Sequence, residues 1–552
     1  MKLKIASLFF FISHLVSGQG ATLFPKLEFD MPKMTEPVIP TYRVSLLDFG
    51  GVPDGASLNT EAFAKAIEAI VSKGGGHLVV PRGIWLTGPI TLKSNLDLHV
   101  EEGALILFSD DKTLYAVVAT SFEGLDTYRC ISPINALEVE NISITGKGVI
   151  DGNGDAWRMV KRSKVSSQQW KEIVAGGGLV SDDGNTWYPS ESFKKGVEAT
   201  NNFNVPDNAS MDELKEYKDF LRPVMISIRN SRNVMLDGPT FQNSPAWNIH
   251  PLMCENLIVR NLTVRNPWYS QNGDGIDIES CKNTWVYNNS FDVGDDAICI
   301  KSGKDADGRK RGVPTENLVV FNNIVYHGHG GFTVGSEMSG GVKNVHVSKC
   351  TFIGTDCGLR FKSTRGRGGV VENVYISDID MYDIAAEPIR FNLFYGGQSP
   401  ILEDDQETPE IDDTPVSVTE ETPSFKDIYM KNIRSVNSGV AGFFQGLPEM
   451  NLKNVNLDNV YLSGNKGVSI IDADGMSFKN VTVVVTEGSP FTIYNAHNLT
   501  FSGFKVVSHE GKPVSIQGNK TTNLTFSKTD FSSPAKQMLI GEGVDPKTVK
   551  LK

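Results

Sequence analysis

Residues 344–347 of this chain read Asn-Val-His-Val, and residues 373–376 read Asn-Val-Tyr-Ile. In each stretch an asparagine is followed by a short run in which successive side chains would lie on opposite faces of an extended chain. Alternation with a period of two is typical of a β-strand that has one face in a core. The two stretches therefore predict two short strands, and their asparagines are 29 residues apart.

The same asparagine-led pattern recurs through most of the chain. It begins at positions 233, 256, 283, 317, 344, 373, 454, 480, 498 and 523, and Asp427 replaces the asparagine once. Clusters of Gly and Asn separate the strands, and no helix-length segment lies between the repeats. A repeat made only of strands and turns predicts one coil of a parallel β-helix, with coils stacked ~4.8 Å apart. We expect each asparagine to occupy a turn, where its amide can bond to the next coil.

The fold class is therefore all-β, a parallel β-helix solenoid over residues 44–552. Before the repeats, residues 60–72 form an amphipathic pattern, which predicts a short N-terminal helix that caps the open end of the solenoid. Three segments interrupt the period and are interpreted as insertions, near 155–222, 303–314 and 396–424. The first carries Trp157, the second is basic, and the third is acidic and rich in Pro and Thr.

The N-terminus and the composition restrict the cellular context. Residues 1–18 combine early lysines, a short apolar run and small residues, which predicts a signal peptide and an exported protein, periplasmic or secreted. Residues 19–43 are then an N-terminal extension. No other long apolar run occurs, so no membrane span is expected. The net charge of -12 argues against nucleic acid as a partner. The six cysteines lack CxxC spacing, so we expect small buried side chains rather than a zinc site.

Four consecutive repeats can be aligned on a glycine. Asp274 and Asp295 each follow that glycine and are 21 residues apart, and His329 follows it 34 residues later. When the twelve residues of the loop 303–314 are removed, the second interval becomes 22, which is one coil. The alignment predicts that Asp274, Asp295 and His329 stack at one turn of three successive coils.

Other ionisable residues belong to the same patch. Asp296 lies beside Asp295, and the alternation of the fourth repeat points Arg360 and Lys362 to one face. Carboxylates held this closely should raise the pKa of one of them. Paired carboxylates suit glycoside hydrolysis, in which one protonates the leaving oxygen and another activates water. The cations suit a negatively charged sugar, and we expect further basic residues to extend the patch: Lys301, Lys304, Arg309, Lys310, Arg311, Arg365 and Arg367.

At these residues the sequence resembles the polygalacturonases, glycoside hydrolase family 28. The motifs of that family are matched by Asn272-Gly273-Asp274, Gly294-Asp295-Asp296, Gly328-His329-Gly330 and Arg360-Phe361-Lys362. Two positions depart from the family pattern, Gly273 for Thr and Phe361 for Ile, and we expect Gly273 to loosen the turn that holds Asp274. The resemblance implies a right-handed, pectin-lyase-like β-helix that hydrolyses α-linked galacturonic acid in pectin.

The resemblance also implies roles. Asp295 would be the general acid, Asp274 and Asp296 would activate water, and His329 would hold the ionisation state of the acid. Substrate-binding positions are carried by Arg360, Lys362, Tyr395 and Asn272. The reaction would invert the anomeric centre and use no metal or other cofactor. The stretches 301–304 and 335–341 resemble the exo-acting branch, and the partner would be a uronate-containing polysaccharide bound by a monomer.

Exo action also follows from the insertions, which could close one end of an open groove. In that hypothesis Trp157 packs on a sugar face and the basic loop meets uronates. Three alternatives stay open at this point. They are a polysaccharide lyase on the same fold, a hydrolase directed at rhamnogalacturonan, and a non-catalytic β-helix that binds glycans.

Overall fold

The structure is a computed structural model that describes residues 24–200, 205, 209–396, 414–531, 538–541 and 543–552. The predicted signal peptide, residues 1–18, lies outside the described residues. In the described part of the chain, 38 strands form one continuous parallel ladder. Each coil contributes to three sheets, and the coil is right-handed, as parallel connections within one sheet are. The predicted parallel β-helix is confirmed.

The first sheet carries the repeated asparagines near the start of its strands from the fifth coil onward. Its strands are Arg43–Ser45, Gly76–Val80, Leu96–Val100, Glu140–Gly146, Arg232–Asp237, Glu255–Arg260, Lys282–Tyr287, Thr315–Phe321 and Val342–Ser348. The second sheet follows it in each coil: Gly83–Thr87, Ala104–Phe108, Val149–Asp151, Thr240–Gln242, Thr263–Arg265, Ser290–Asp292, Ile324–Val325 and Thr351–Ile353. The third sheet closes the coil: Ile90–Thr91, Ile134–Leu137, Ile226–Arg229, Ile249–Leu252, Ile276–Glu279, Ile298–Lys301, Gly330–Val334, Cys357–Lys362 and Ile389–Asn392.

Towards the C-terminus three long strands bend from sheet to sheet: Val370–Ile384, Ser424–Gln445 and Leu452–Ile471. The last coils are built from Ala473–Asp474, Ser477–Val485, Phe491–Tyr494, Thr500–Ser502, Lys505–Ser508, Val514–Gln517, Leu524–Ser527, Met538–Ile540 and Val549–Leu551. Antiparallel strands occur only in insertions among the described residues: the hairpin Val117–Phe122 with Leu125–Cys130, and the small sheet of Val160–Lys161, Thr186–Tyr188 and Leu179–Val180. The α-helices are Thr60–Ser72, Ser167–Ala175, Glu191–Ala199, Met211–Glu216 and Asp305–Arg311. Short 3-10 helices are Leu46–Phe49, Lys112–Leu114, Gly154–Ala156, Arg162–Lys164, Lys218–Phe220 and Pro546–Thr548.

The core of the solenoid is a stack of apolar side chains that repeats from coil to coil. Phe361 and Phe391 stack with ring centroids 4.3 Å apart, and Phe391 stacks on Phe444 at 5.5 Å. These contacts arise because residues in register on neighbouring strands point the same way. Removing such surfaces from water supplies most of the stabilisation of a fold of this kind.

The repeated asparagines form a hydrogen-bonded ladder at the start of the first sheet. The amide of Asn256 donates to Asn233, that of Asn283 to Asn256, and that of Asn317 to Asn283, with N–O distances of 3.2, 3.3 and 3.0 Å. All four residues have φ between 53 and 58°, a left-handed conformation that asparagine tolerates better than most residues. The predicted turn role is confirmed for this column.

The helix Thr60–Ser72 packs on the first coils and buries the predicted stripe: Ala62, Phe63, Ala66, Ile67 and Ile70. The described part of the N-terminal extension runs along the outside of the first sheet. There the ring of Phe24 stacks on Trp285 at 4.4 Å, and Glu28 pairs with His346 at 2.8 Å. All six cysteines are buried and unpaired, which agrees with their interpretation as small buried side chains.

Candidate active site

The site lies at the third sheet, where four coils pair in register. Asp277 pairs with Cys299, Cys299 with Thr333, and Thr333 with Arg360. The turns that precede these strands carry Asp274, Asp295 with Asp296, and His329. The structure thus places the three aligned residues at equivalent turns of successive coils. The strand register differs from the glycine alignment by one residue in the first two coils. Ile276 pairs with Ile298 and Ile298 with Phe332, so Asp274 lies opposite Asp296, and Asp295 lies opposite His329.

Three carboxylates converge at these turns. Asp274, Asp295 and Asp296 each present an oxygen within 4.8 Å of an oxygen of the other two. Residue exposure is 3 % for Asp274 and 0 % for Asp296, while the Asp295 side chain is 22 % exposed. Asp295 is therefore the carboxylate of the three that solvent or a ligand reaches most easily.

Asp296 is neutralised by the fourth coil. Its Oδ1 accepts from Arg360 at 2.9 Å and from the hydroxyl of Thr333 at 2.9 Å, and its Oδ2 accepts from Lys362 at 2.8 Å. Burial opposes ionisation, but the charges of Lys362 and Arg360 hold the pKa of Asp296 well below its ordinary value. This carboxylate is anionic and fixes both cations at the site.

Asp295 is held by a histidine from the next coil. Nδ1 of His329 lies 3.0 Å from Oδ1 of Asp295, and the main-chain N–H of Asp296 donates to the same oxygen at 3.0 Å. Burial alone would raise the pKa of Asp295, but the hydrogen bond and the charge of His329 outweigh it and lower the pKa. The same hydrogen bond raises the pKa of His329 against the effect of burial. Each group therefore favours the charged form of the other.

Asp274 has the opposite environment. Its Oδ1 is buried without a hydrogen-bond partner. Burial, followed by the charges of Asp277 and Asp295, raises the pKa of Asp274 well above its ordinary value. The expectation that crowding would raise the pKa of one carboxylate is met at this residue. Two neighbouring acids with pKa values pushed apart are typical of acid–base sites.

Beneath Asp274 lies a buried group that the sequence reasoning missed. Both oxygens of Asp277 lack a hydrogen-bond partner, and Lys301 lies 3.7 Å from its Oδ1. Burial raises the pKa of Asp277 well above its ordinary value, although Lys301 opposes the shift. Lys301 also pairs with Glu337 at 2.7 Å. Alternation along 276–279 could have shown that Asp277 shares a face with the site, since Ile276 and Ile278 point into the core.

The remaining motif residues occupy the border of the patch. Tyr395, 37 % exposed, lies with its ring centroid 4.8 Å from the ammonium of Lys362 and 5.7 Å from the guanidinium of Arg360. The side chain of Asn272 instead accepts a hydrogen bond from Arg222 at 2.9 Å, so it anchors the turn to an insertion. The structure thus brings Tyr395 to the cations and engages Asn272 elsewhere.

The expectation that Gly273 loosens this turn is wrong. A Cβ added to Gly273 would lie 1.8 Å from Oγ of Ser270, so the hydroxyl already fills the space of the missing side chain. Asn266 adds support, because its amide donates to the carbonyls of Gly273 and Asp274 at 3.1 and 3.2 Å. The turn that carries Asp274 is packed on both sides.

The expectation that Trp157 packs on a sugar face is also wrong. Trp157 is 0 % exposed, and its ring packs edge-on against Tyr115 at 5.2 Å, so it cannot stack on a sugar. The arginines expected to extend the basic patch are paired with carboxylates: Arg309 with Glu421 at 3.0 Å, Arg311 with Glu279 at 2.6 Å, Arg365 with Glu449 at 2.7 Å, and Arg367 with Asp305. The basic loop is a helix, Asp305–Arg311, that is bound to the protein through these ion pairs.

The hairpin 117–130, which the sequence reasoning also missed, packs over the third sheet. Its Phe122 lies 5.1 Å from the ring of Trp247, and Lys304 donates from its main chain to Gly124 at 3.0 Å. Trp247 precedes the strand one coil before Asp274 and is buried, and Arg222 occupies the turn one coil further back and is also buried. The coils on the N-terminal side of Asp274 are therefore covered.

Comparisons with known proteins agree with this geometry. The sequence model of glycosyl hydrolases family 28 matches residues 161–464, more than half of the chain. A protein named "Probable polygalacturonase" from Vitis vinifera is 31% identical over 350 residues, covering 62% of this chain and 61% of the relative. The "Exo-poly-alpha-D-galacturonosidase" of Dickeya chrysanthemi is 29% identical over 452 residues, covering 80% and 70%. The chain thus spans less than two thirds of the length of the grape relative.

Solved structures give the same picture. The exopolygalacturonase of Thermotoga maritima superposes with a TM-score of 0.64 at 34% sequence identity, covering 81% of this chain and 93% of that protein. The family match includes the three carboxylates, His329, Arg360 and Lys362. The chain belongs to glycosyl hydrolases family 28.

Proposed function

We propose that the protein hydrolyses the bonds of α-linked galacturonic acid in galacturonan, acting from a chain end. The observation that supports this proposal most directly is that three carboxylates and two cations lie together in one patch. The carboxylates supply acid–base chemistry, and the cations select an anionic sugar. The names of the relatives from grape, Dickeya and Thermotoga support the same substrate.

Recognition of the substrate falls to Arg360, Lys362 and Tyr395. The two cations face the turns that carry the acids, and Tyr395 offers an exposed ring beside them. A uronate carboxylate placed here would form charge-assisted hydrogen bonds, each worth about 1.5–3 kcal/mol. A neutral sugar would add no charge-assisted bond to Arg360 and Lys362, which are already ion-paired with Asp296, so it gains less.

The proton roles follow from accessibility. Asp295 is the general acid, because it is the most exposed of the three carboxylates and His329 can exchange a proton with it. In the free protein the pKa of Asp274 is raised and that of Asp295 is lowered. Binding of an anionic substrate adds negative charge near Asp295, which raises its pKa and favours its protonated form. Asp274, once deprotonated, activates water together with the charge of Asp296, and the anomeric centre inverts.

Substrates with different leaving groups distinguish this assignment from the reverse one, in which Asp274 is the acid and Asp295 activates water. An aryl galacturonide with an acidic phenol needs little protonation as it departs. We expect Asp295→Asn to lose activity on the polymer and to keep much of it on the aryl substrate. Asp274→Asn should lose both activities, because water activation is still required. Selective retention of aryl activity by Asp274→Asn instead would reverse the two roles.

Exo action is supported by the covered coils on the N-terminal side of Asp274. Trp247 and Arg222 fill the positions where a polymer would continue past the acids, beneath Phe122 and the insertion that ends at Arg222. The acidic segment near 396–424 lies outside the described residues over 397–413 and contributes nothing to this argument. We expect monomeric galacturonic acid as the early product and a slow fall in polymer viscosity.

Family membership leaves the lyase alternative without support. Product analysis on homogalacturonan and rhamnogalacturonan tests the proposal as a whole. A new reducing end on homogalacturonan, no ultraviolet-absorbing unsaturated uronate, activity that persists with a chelator, and a β anomer as first product are expected. Chelator-sensitive formation of unsaturated uronate would overturn it, and preference for rhamnogalacturonan would change the substrate.

The cellular setting is proposed on less direct grounds. No helix in the described part of the chain is long and apolar enough to cross a membrane. The N-terminal pattern of residues 1–18 supports export to the periplasm or the medium, where pectic polymers would be encountered. We propose that the exported protein acts as a monomer.

A further inference from the structure

A second cleft runs beside the catalytic turns, at the end of the second sheet. It has a volume of about 630 Å³, within the range of ~300–1,000 Å³ that is typical of small-molecule sites. Four residues in register form its floor, one from each of four successive coils: Asp151, Gln242, Arg265 and Asp292. With coils ~4.8 Å apart, this row extends for about 14 Å.

Trp268 borders the cleft and is its most unusual feature. Its side chain is large and apolar, yet the residue is 56 % exposed. Its indole N–H donates to the carbonyl of Lys164 at 2.8 Å, and its ring packs edge-on against Tyr269 at 5.3 Å. The ring is thus fixed in orientation while more than half of the residue stays exposed. A fixed, exposed aromatic ring beside polar groups suits the apolar face of a sugar ring.

The charge of the lining differs from that of the catalytic patch. Three carboxylates line the cleft, from Asp151, Asp155 and Asp292, and Asp155 is paired with the buried Arg158. The other charged or titratable groups of the lining are the exposed Arg265 and the imidazole of His327. His327 already binds Asp292 at 2.9 Å, and Asp151 accepts from Gln242 at 2.7 Å. A galacturonate would meet net negative charge here. Hydroxyl groups, in contrast, can donate to carboxylates and accept from amides and arginine.

Residues that line the cleft are close in sequence to the proposed catalytic residues. Asp292 precedes the proposed acid Asp295 by three residues, and His327 precedes His329 by two. Asn266, which lines the cleft, also donates its amide to the carbonyl of Asp274, so the cleft adjoins the turn that carries this carboxylate.

We propose that this cleft is a second sugar-binding site, which holds uncharged glycosyl units or methyl-esterified galacturonate units of the substrate by stacking on Trp268. The site goes beyond the proposed hydrolysis, because its ligand differs in charge from the uronate at Arg360 and Lys362. It would let the enzyme hold polymer regions that the cationic patch does not select.

The test is a titration with two probes that have the same sugar backbone and differ in esterification. Fully methyl-esterified trigalacturonate is neutral, and unesterified trigalacturonate carries three carboxylates. Both are titrated by calorimetry into an Asp295→Asn background, so that neither is hydrolysed. We expect Trp268→Ala to weaken binding of the neutral probe about tenfold and to leave binding of the trianion unchanged. Trp268→Phe should retain most of the affinity, because an aromatic face remains.

Trp187→Ala is the matched control. Like Trp268, Trp187 donates its indole N–H to a main-chain carbonyl, that of Gly177 at 2.7 Å, but it lies away from the cleft. Its loss should change neither affinity. Equal weakening of both probes by Trp268→Ala would assign the cleft to the anionic main chain, and no weakening of either would remove the site; each result overturns the proposal. Failure of the proposed hydrolysis would appear separately, as an inactive wild-type protein on polygalacturonate.

Discussion

Two columns of polar residues run along this β-helix, and they differ in how their hydrogen-bonding groups are paired. At the first sheet, Asn256, Asn283 and Asn317 repeat one residue type, and each amide bonds to its neighbour. At the third sheet, Asp277 and Arg360 belong to a column in which each coil contributes a different residue.

The difference separates a structural ladder from a reactive one. A neutral amide carries both donor and acceptor, so identical copies can pair without limit. In a column of different charged side chains, by contrast, some groups pair and others are left without a partner. Asp296 accepts from Thr333, Arg360 and Lys362, while Asp277 and one oxygen of Asp274 have no hydrogen-bond partner. We expect the asparagine column at the first sheet to stabilise the fold and the charged column at the third sheet to carry the chemistry.

The largest effect is expected for Asp295→Asn, which keeps the shape of the side chain and removes the transferable proton. General acid–base catalysis is worth about 10²–10⁴-fold, so turnover of polygalacturonate should fall by that order. Reducing-end assays give turnover, and unchanged thermal unfolding would show that the fold is intact. A variant with nearly wild-type turnover would contradict the assignment of the acid.

A smaller loss is expected for Lys362→Gln. The change removes one of the two cations that bind Asp296 and, by our proposal, the substrate carboxylate. The value kcat/KM should fall about 10–100-fold. Lys310→Gln is the matched control, because Lys310 is exposed on the helix Asp305–Arg311. Equal effects of the two substitutions would show that general charge, and not this position, determines activity.

Asn283→Ala should lower stability and spare activity. It removes the amide that donates to Asn256 and the oxygen that accepts from Asn317, and it places alanine at a φ of 56°. We expect the free energy of unfolding to fall by about 2–3 kcal/mol. Asn283→Gly, which tolerates this φ, should lose only the hydrogen-bond part. Denaturant titration measures both, and equal losses would show that the backbone conformation contributes nothing.

The smallest effect is expected for Asp277→Asn and concerns pH. Burial raises the pKa of Asp277 in the folded state, so the unfolded chain releases this proton at lower pH. Its contribution to stability is present at or below pH ~4 and is lost as the pH rises towards the raised folded-state pKa. Relative to wild type, the variant should therefore gain stability at pH 7 and little at pH 4. Thermal unfolding across this range measures the gain.

Lys301 keeps Glu337 as a partner in that variant, so it is not left as an unpaired buried charge. Asp182, whose side chain is exposed, provides a control for the loss of a carboxylate from the surface. A pH dependence of Asp277→Asn identical to that of wild type would mean that Asp277 ionises as freely in the fold as in the unfolded chain.

The solenoid and the position of its reactive column can be predicted from the amino-acid sequence. Coils of similar length repeat, so the spacing of Asp274, Asp295 and His329 is enough to place them at equivalent turns. The asparagine ladder is predictable for the same reason, except that Asn480 lies in register beside Asn459 and not Asn454. A period counted along the chain cannot tell two neighbouring columns apart when turns differ in length.

Which groups of the patch are free to act depends instead on tertiary contacts. Arg365 belongs to a basic run in the sequence, yet Glu449, 84 residues away, binds it, and Trp157 is enclosed by an insertion. The isolation of Asp277 and the covering of Trp247 by the hairpin 117–130 also depend on contacts between distant segments. Charge and aromatic character are properties of the residue, but pairing and burial depend on what packs against it. In this protein those neighbours come from insertions and from turns between distant strands, and the repeat does not determine where they pack.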